Sequence, residues 1–319
     1  NINLEVNIIK KIFFIKKLNF YINSALHFIT ISLRILRSKP DLIYVDRGNI
    51  LIAGLITRLL RYKVVLRVMG IPPSLQNLEK EKGFFSSVLR WAYKSKFKWV
   101  LFTEDGSNPR AWSEVNVRKS VDKEFWMNGV DYPIHEKPKK KNRIDILFIS
   151  RLTYGKGCMK LLETIKQLSK RKLRKDWLLN IIGDGDKKEE MISFVKKHKL
   201  NDKVKFHGKI DHKKMYKFYN IGDVYVSLNF QGNISNSNLE ALNYNLNCVF
   251  LGKSEGKIDV LTETLFPKVH FIKRDHIVKN LTLLLQKIIN RNILINKSNA
   301  KLTSWNDRIK KEISKLKSL

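Results

Sequence analysis

Short apolar runs alternate with amphipathic helical segments through the second half of the chain, and this alternation constrains the fold more than any other feature. The predicted strands are residues 144–149, 177–182, 204–206, 224–228 and 248–251, and the predicted helices between them are residues 159–170, 188–198, 213–219 and 238–243. Strands and helices that alternate in this way predict a doubly wound α/β domain with a parallel sheet. Because such sheets bind ligands at the carboxyl ends of their strands, the loops after these strands are the expected site.

The first half of the chain shows the same pattern less completely. Residues 41–45, 63–68 and 99–103 are predicted strands, and apolar positions between residues 48 and 59 predict a helix between the first two. This spacing indicates a βαβ unit, and 319 residues suffice for two α/β domains. The chain begins with Asn1 instead of Met, and its first strand patterns come near residues 8–15 and 41, so we expect the opening unit of this domain to lie upstream.

A segment rich in turns and charges separates the two halves, and we place a linker there at residues 132–143. The predicted organisation is therefore an incomplete Rossmann-like domain at residues 1–131, a second Rossmann-like domain at residues 144–290 and a helical tail at residues 291–319.

The charge of the chain indicates an anionic partner. The sequence holds 62 Lys and Arg against 29 Asp and Glu, a formal net charge of +33. A membrane leaflet, nucleic acid or a phosphorylated ligand would suit this excess, unless the lysines only form solvated helix faces. No zinc spacing, aromatic RNA-binding strand or recognition helix accompanies the charge, so we predict no nucleic-acid partner.

The two cysteines and the hydropathy pattern bear on compartment. Cys158 and Cys248 lie in no C-x-x-C spacing and beside no histidines, which favours a reducing compartment and argues against a structural metal. The most apolar early stretch, residues 24–36, is interrupted by polar residues and is shorter than the roughly 20 residues a membrane helix needs. We expect a cytoplasmic protein without a transmembrane helix.

One segment points to the inner surface of a membrane. On a helical wheel from Phe84, one face carries apolar side chains and the opposite face carries basic ones; they are Phe85, Val88, Leu89 and Ala92 against Arg90, Lys94 and Lys98. A basic amphipathic helix can lie peripherally on anionic lipid, and a core-packed helix with a solvated back gives the same pattern.

The loop after the first strand of the second domain combines glycines with cations. It contains Arg151, Gly155, Lys156 and Gly157 and ends where a helix begins. Free N–H groups at the helix start, close backbone approach at glycine and two cations together predict a diphosphate cradle. The loop is no Walker A motif, because Cys158 follows Gly157 where that motif has Lys. A basic loop with incidental glycines is the alternative.

Further along, three loops at strand ends carry candidate donor-binding residues. Two are glycine turns, and the third is a polar helix start with one carboxylate; the residues are Gly183, Asp184 and Gly185, then Gly208, Lys209 and Ile210, then Asn236, Ser237, Asn238, Leu239 and Glu240. A carboxylate there can accept two ribose hydroxyls, while the free amides of the helix start meet phosphate. Alternatively, the glutamate only complements the helix dipole. A dinucleotide oxidoreductase is disfavoured, because Asp186-Lys-Lys188 follows Gly185 instead of the G-x-G-x-x-G pattern.

The order and spacing of these loops resemble the donor domain of glycosyltransferase family 4. The motifs that carry the resemblance are Ser150-Arg-Leu with Gly155-Lys-Gly157, Ile182-Gly-Asp-Gly185, Phe206-His-Gly208, Gly222-Asp-Val and Leu239-Glu-Ala. Fainter matches in the first half are residues 41–45, 64–68, 103–106 and 128–131, so the resemblance covers residues 40–290.

This resemblance implies two Rossmann-like domains of the GT-B type and a retaining transferase that takes a nucleotide-diphosphate sugar as donor, with UDP- or GDP-sugars expected, and needs no cofactor. It implies that Arg151 and Lys156 are the catalytic cations that grip the diphosphate, that Glu240 holds the ribose, and that the two glycine turns frame the base. The acceptor side would include Met69, Gly70 and Asp105. The expected acceptor is a saccharide or a lipid-linked saccharide in cell-envelope glycan or polysaccharide synthesis.

The sequence departs from the family at two positions. Many members have a second glutamate eight residues before the ribose-binding one, and Gly232 stands there in this chain. A histidine–glycine turn in the first domain is replaced by Met69-Gly70. We interpret the chain as a divergent member in preference to a catalytically degenerate one, because the cationic pair remains. Since these cations can neutralise the leaving diphosphate, we expect a reaction independent of metal.

Overall fold

The computed structural model describes residues 16–131, 133, 142–254, 258–291 and 302–319. The described residues form two compact units: the first takes in the chain up to Thr103 together with Pro109–Trp126, and the second takes in Glu104–Asn108 and Met127–Leu319. The strand pattern near residues 8–15, most of the linker and the start of the tail lie outside the described residues. The domain boundaries therefore stay a prediction.

The first unit is a four-stranded parallel sheet with helices. Its elements are α1 (Lys16–Ser38), β1 (Ile43–Asp46), α2 (Ile50–Leu55), β2 (Val64–Val68), α3 (Phe84–Tyr93), β3 (Trp99–Thr103), α4 (Pro109–Asn116) and β4 (Asp122–Trp126). The strands lie in the order β1-β2-β3-β4, all parallel. The central strands β2 and β3 are almost wholly buried, as expected for a parallel sheet covered on both faces.

The apolar face of α3 packs into the core of this unit. Leu89 and Ala92 are buried there, with Phe85 and Val88 packed against the same cluster. The helix ends at Tyr93, so Lys94 and Lys98 lie beyond it. Of our two interpretations of this segment, the core-packed helix is therefore correct, and the idea that its apolar face meets lipid is wrong.

The second unit is a six-stranded parallel sheet with helices on both faces. Its elements are β5 (Arg143–Ile149), α5 (Cys158–Ser169), β6 (Asp176–Ile182), α6 (Lys188–Lys197), β7 (Val204–Gly208), α7 (Tyr216–Ile221), β8 (Val224–Ser227), α8 (Asn236–Asn243), β9 (Asn247–Leu251), α9 (Thr262–Leu265), β10 (His270–Ile272), α10 (Ile277–Arg291) and α11 (Trp305–Lys317). The strand order is β10-β9-β8-β5-β6-β7. The direction of winding reverses between β5 and β8, which defines the topological switch point of the sheet.

Alternation along the strands builds two apolar layers, one on each face of this sheet. Ile146 and Phe148 of β5 point into the layer covered by α5, α6 and α10. Leu147 between them packs in the other layer with Tyr225 of β8 and Leu239 of α8. The prediction of two Rossmann-like α/β units with parallel sheets is confirmed by this architecture. Among the described residues, no helix is both long and apolar enough to cross a membrane.

Candidate functional site

A cavity of about 630 Å³ opens at the switch point of the second sheet. It is bounded by residues that follow β5, β6, β7 and β8 and by the first turns of α8. Crevices at this place in doubly wound sheets are where ligands bind. The predicted site residues that line the cavity are Arg151, Lys156, Gly183, Asp184, Lys209, Ile210, Asn236, Ser237, Asn238 and Glu240.

Other predicted donor-site residues do not line the cavity; they are Gly155, Gly157, Gly185, Gly208 and Leu239. Leu239 is fully buried in the apolar layer beneath α8. The carbonyl of Gly155 accepts a hydrogen bond from the Phe230 N–H at 2.9 Å. A Cβ atom at Gly157 would lie 2.5 Å from the Cβ of Leu228. The glycines of this loop thus allow it to pack closely against residues 228–230, a structural role that the sequence does not reveal.

Arg151 and Lys156 place two positive charges in the cavity. Arg151 is exposed just after β5, and Lys156 is half-buried in the turn before α5. Neither side chain has a hydrogen bond or ion pair with another described residue. Burial lowers the pKa of Lys156, and repulsion from Arg151 lowers it further, while Asp105 acts in the opposite sense. Two cations that make no hydrogen bond or ion pair with a described residue, beside a helix start, form a site suited to an anion.

The turn after β6 fixes the cavity wall near these cations. Gly183 has a φ of +135°, and a Cβ atom there would lie 1.8 Å from the carbonyl oxygen of Ser150, so only glycine fits. Its N–H donates to the carbonyl of Gly208 at 2.8 Å. This turn therefore ties the carboxyl ends of β5, β6 and β7 together.

Asp184 follows this glycine at the edge of the cavity as an ionised carboxylate. It accepts a hydrogen bond from the Gly185 N–H at 2.8 Å and pairs with Lys188 at 3.3 Å, and these contacts, the backbone one most, lower its pKa. Asp184 and Asp186 have the Asp-x-Asp spacing common in metal sites. Among the described residues, however, no group of three metal-ligating side chains is assembled. Metal independence stays a prediction.

Glu240 also lines the cavity, and both of its carboxylate oxygens are engaged. His212 lies 2.9 Å from Oε1, and the Tyr219 hydroxyl donates to Oε2 at 2.7 Å. The hydrogen bond with Glu240 is the main cause that raises the pKa of His212 above its ordinary value. Glu240 is the fifth residue of α8, in its second turn, so it does not lie at the helix start where we predicted it. The alternative that it only complements the helix dipole is therefore wrong as well. We did not predict that His212 or Tyr219 contacts Glu240. Their positions in the segment that follows β7 could have indicated that they lie near the site.

Asn238 has a structural role in the same helix. Its side chain is buried, accepts from the Tyr225 hydroxyl at 2.8 Å and donates to Ser227 at 3.1 Å and to the carbonyl of Asn233 at 3.0 Å. These contacts hold the start of α8 against the end of β8. Asn236 and Ser237 are the other first-turn residues of α8 that line the cavity, and their contact with a ligand stays a prediction.

A buried network occupies the place where family members have the second glutamate. A Cβ atom at Gly232 would lie 2.5 Å from the carbonyl oxygen of Asp105, so a side chain is excluded there. The adjacent Asn233 donates from its backbone to Asp259 at 2.6 Å and from its side chain at 2.7 Å. Arg274 pairs with the same carboxylate at 3.1 Å, yet burial dominates and raises the pKa of Asp259 to about 6. No sequence pattern predicts this network, because its members are distant along the chain.

The predicted acceptor-side residues fall in different units. Asp105 lies in the second unit, where its carbonyl accepts from the Ile234 N–H at 3.1 Å and its carboxylate accepts from the Ser107 N–H at 3.0 Å. Burial is the main cause that raises the pKa of Asp105, against the effects of Ser107 and Lys156. Met69 and Gly70 follow β2 in the first unit, with Met69 exposed and Gly70 buried. Their roles toward an acceptor stay predictions.

Comparison with known proteins connects the segment that contains this cavity to one family. The family described as glycosyl transferases group 1 matches residues 133–301, which is more than half of the chain. An amylovoran biosynthesis glycosyltransferase of Erwinia amylovora, AmsD, is 27% identical over 125 residues, or 39% of this chain and 33% of that protein. An uncharacterized glycosyltransferase of Methanocaldococcus jannaschii is 30% identical over 115 residues, or 36% of this chain and 28% of that protein. The matched segments thus span about a third of these relatives or less.

Solved structures show the same fold. The structure of Anabaena HepE in complex with UDP and glucose superposes with a TM-score of 0.67 at 15% identity, covering 90% of this chain and 81% of that one. At this level of identity the likeness establishes the fold alone.

Proposed function

This chain belongs to the glycosyl transferases group 1 family, and from that premise we propose that it transfers a sugar, with retention, from a nucleotide-diphosphate sugar to a saccharide or lipid-linked acceptor. One observation carries the proposal. A single cavity at the switch point holds two cations without described partners, Arg151 and Lys156, and a carboxylate, Glu240. That combination suits a ligand with a diphosphate near the cations and hydroxyls near the carboxylate.

The placement of a nucleotide sugar follows from these charges. The diphosphate lies against Arg151, Lys156 and the start of α5, where the helix dipole adds to the attraction. The ribose hydroxyls donate to Glu240, and the base lies by Lys209 and Ile210 after β7. Structures of Anabaena HepE with UDP, with UDP and glucose and with UDP-glucose make UDP-sugars the first donors to examine.

The same cations serve the chemistry. When the bond between the anomeric carbon and the diphosphate oxygen breaks, negative charge develops on the leaving phosphate and positive charge on the carbon. Arg151 and Lys156 stabilise the leaving group electrostatically, in a role that needs no general acid. The acceptor hydroxyl attacks on the face that the diphosphate leaves and passes its proton to the departing phosphate oxygen, which retains the anomeric configuration.

Direct binding measurements test the donor site. Thermal shift against UDP-, GDP- and ADP-sugars selects the donor, and calorimetry then compares Arg151→Ala and Lys156→Ala with the wild type. Each substitution is expected to weaken binding by about 1.5–3 kcal/mol, as for a charge-assisted hydrogen bond. Lys170→Ala is the matched control, because this exposed lysine directly follows α5 and does not line the cavity, and it should bind as the wild type does. Unchanged affinity in both cavity variants would refute the diphosphate site.

A second candidate is a nucleotide-sugar-binding protein without turnover, and Gly232 in place of the second glutamate favours it. Transfer from the selected donor to saccharide and lipid-linked acceptors separates the two, with the anomeric configuration of the product read by proton NMR. Product of retained configuration supports the enzyme. Tight donor binding without transfer or donor hydrolysis supports the degenerate protein. The link of AmsD to amylovoran biosynthesis makes polysaccharide precursors the first acceptors to examine, and we propose that the reaction takes place in the cytoplasm, at or near the inner face of the membrane.

A further inference from the structure

The first unit contains a second large cavity, and its lining is strongly basic. The cavity has a volume of about 870 Å³, and seven of its twelve lining residues are Lys or Arg. Across the whole chain, Lys and Arg are only 62 of 319 residues, so this concentration exceeds what composition supplies. We call the cavity the basic basin; its cations are Arg58, Arg61, Lys63, Lys94, Lys96, Lys98 and Arg118.

The basin lies at the amino ends of the strands of the first sheet. Lys63 directly precedes β2, Lys98 directly precedes β3, and Asp122 is the first residue of β4. Parallel pairing of Val65 with Trp99 and of Trp99 with Asp122 brings these starts to one edge of the sheet. Met69 and Gly70 follow the carboxyl end of β2, so the basin occupies the edge away from the predicted acceptor loop.

Part of the basin is held rigid by hydrogen bonds to neutral groups. Arg58 donates to the Ser95 hydroxyl at 3.0 Å and to the carbonyl of Trp91 at 2.9 Å, and its guanidinium lies 4.5 Å from the centre of the Trp91 ring. Arg118 donates to the carbonyl of Lys94 at 2.8 Å. These contacts fix the positions of the cations without neutralising them, so their charge remains available to a ligand.

Three other cations of the basin are exposed and have no side-chain partner within the described part of the chain; they are Arg61, Lys96 and Lys98. Lys96 and Lys98 flank Phe97, whose side chain is only 4% exposed and anchors this segment in the core. Asp122 is the one acidic residue among the twelve that line the basin. Like charges gathered in this way repel each other, and a bound anion relieves that repulsion.

We propose that the basic basin is a binding site for a phosphate-bearing ligand, separate from the cavity that contains Arg151 and Lys156. Phosphate suits it best among biological anions, because guanidinium groups bind phosphate oxygens in pairs and lysines add point charges around them. The phosphate belongs either to a lipid headgroup or to a soluble diphosphate, and these two sources share the same chemistry. The proposal does not depend on the glycosyl transfer proposed above.

Charge reversal within the basin tests this site against a matched control. The basin variant combines Arg61→Glu, Lys96→Glu and Lys98→Glu. The control combines Lys170→Glu, Lys172→Glu and Arg174→Glu, which changes one arginine and two lysines at exposed positions of the second unit. Both variants have the same net charge, so a general charge effect acts equally on them. Circular dichroism and thermal unfolding establish that both are folded.

Two ligands distinguish the source of the phosphate. The 319-residue chain is titrated with inorganic pyrophosphate by calorimetry, and it is sedimented with phosphatidylcholine vesicles that contain or lack phosphatidylglycerol. The measurements use an Arg151→Ala, Lys156→Ala background, in which we expect diphosphate binding at the other cavity to be weakened. We expect at least tenfold weaker binding in the basin variant and a change below twofold in the control.

Each outcome decides the proposal. Pyrophosphate binding lost only in the basin variant supports a soluble diphosphate, and vesicle binding lost only in that variant supports a lipid headgroup. Equal losses in the two variants would show a diffuse charge effect and overturn the site. Absence of binding to both ligands at low salt overturns it as well.

Discussion

Glu240 is held at the cavity by two neighbours of different character. The Tyr219 hydroxyl is buried and donates to one oxygen, whereas His212, 63% exposed, approaches the other from the solvent side. A ribose can therefore replace the histidine more easily than the tyrosine. These two contacts orient the carboxylate, so its oxygens are positioned to accept hydroxyl groups.

This arrangement predicts that nucleotide-sugar affinity rises with pH. The hydrogen bond to Glu240 is the first cause of the raised pKa of His212, and Asp131 and Asp211 also face it with negative charge. Protonated His212 holds Glu240 most strongly, so ribose binding must break that pair and release a proton. Affinity should increase as pH rises through the pKa of His212, by about two- to fivefold, because exposed ion pairs contribute about 0.2–1 kcal/mol.

Calorimetry with UDP-glucose at several pH values measures the effect, since its diphosphate diester does not titrate in this range. The affinity of His212→Gln for UDP-glucose should no longer change over the pH range in which the affinity of the wild type rises. His198→Gln is the control. His198 directly follows α6 and does not line the cavity, so this variant should keep the wild-type dependence of affinity on pH. A slope that persists in His212→Gln would show that the histidine does not compete with the ligand.

Candidate ligand-binding side chains could be predicted from the sequence where they lie in segments that follow predicted strands. Arg151 and Lys156 lie in the loop after β5, and Glu240 lies in α8 after β8, and a doubly wound sheet brings the segments that follow its strands to one edge. The pairing of Asn233 with Asp259 could not be predicted, because it joins two loops at a distance that no local pattern specifies.

At the scale of elements, buried strands were the easiest features to predict. The apolar run at residues 99–103 forms β3 with the same bounds. This strand lies between β2 and β4 and is buried along its whole length. The edge strand β4 was missed, because its sequence Asp122–Trp126 begins with three charged residues and stays partly exposed. Helix α3 shows the corresponding limit for helices. An amphipathic pattern predicts that the apolar face of the helix is covered, but it does not predict what covers that face.

The turns between elements yield a stability prediction for the ends of β6 and β7. Gly183→Ala should destabilise the second unit by about 3 kcal/mol or more, because its φ is +135° and the added Cβ atom would overlap the Ser150 carbonyl. Gly208→Ala is the matched control: its φ is +67°, but no atom lies within 4 Å of the added Cβ. It should cost only about 1–2 kcal/mol, the penalty of a left-handed backbone. Urea unfolding measures both, and equal stabilities of the two variants would contradict the packing argument.

For the whole molecule, the net charge of +33 has contributions of two kinds. Some cations are gathered around cavities, as in the basic basin and beside Lys156, and others, such as Lys170 and Lys172, are exposed in the segment between α5 and β6. Composition predicted that this protein binds an anionic partner, but it could not distinguish the cations around cavities from the exposed ones. That distinction depends on how the sheets bring distant segments together. Only the gathered cations have the geometry for a defined ligand.

The two kinds of charge respond differently to salt, and this difference gives a prediction for the whole chain. A duplex oligonucleotide should bind at about 50 mM NaCl without sequence preference and dissociate by about 300 mM, because such binding rests on counterion release. Binding of the selected nucleotide sugar should change much less, since short-range hydrogen bonds to Arg151, Lys156 and Glu240 are screened less than exposed charges. Fluorescence anisotropy with two unrelated oligonucleotides and calorimetry with the sugar measure both responses in the same buffers.

A Lys170→Glu, Lys172→Glu, Arg174→Glu variant should weaken the oligonucleotide complex and leave sugar binding unchanged. An oligonucleotide complex that discriminates between sequences and survives 300 mM salt would instead establish a specific nucleic-acid site and restore that class of function.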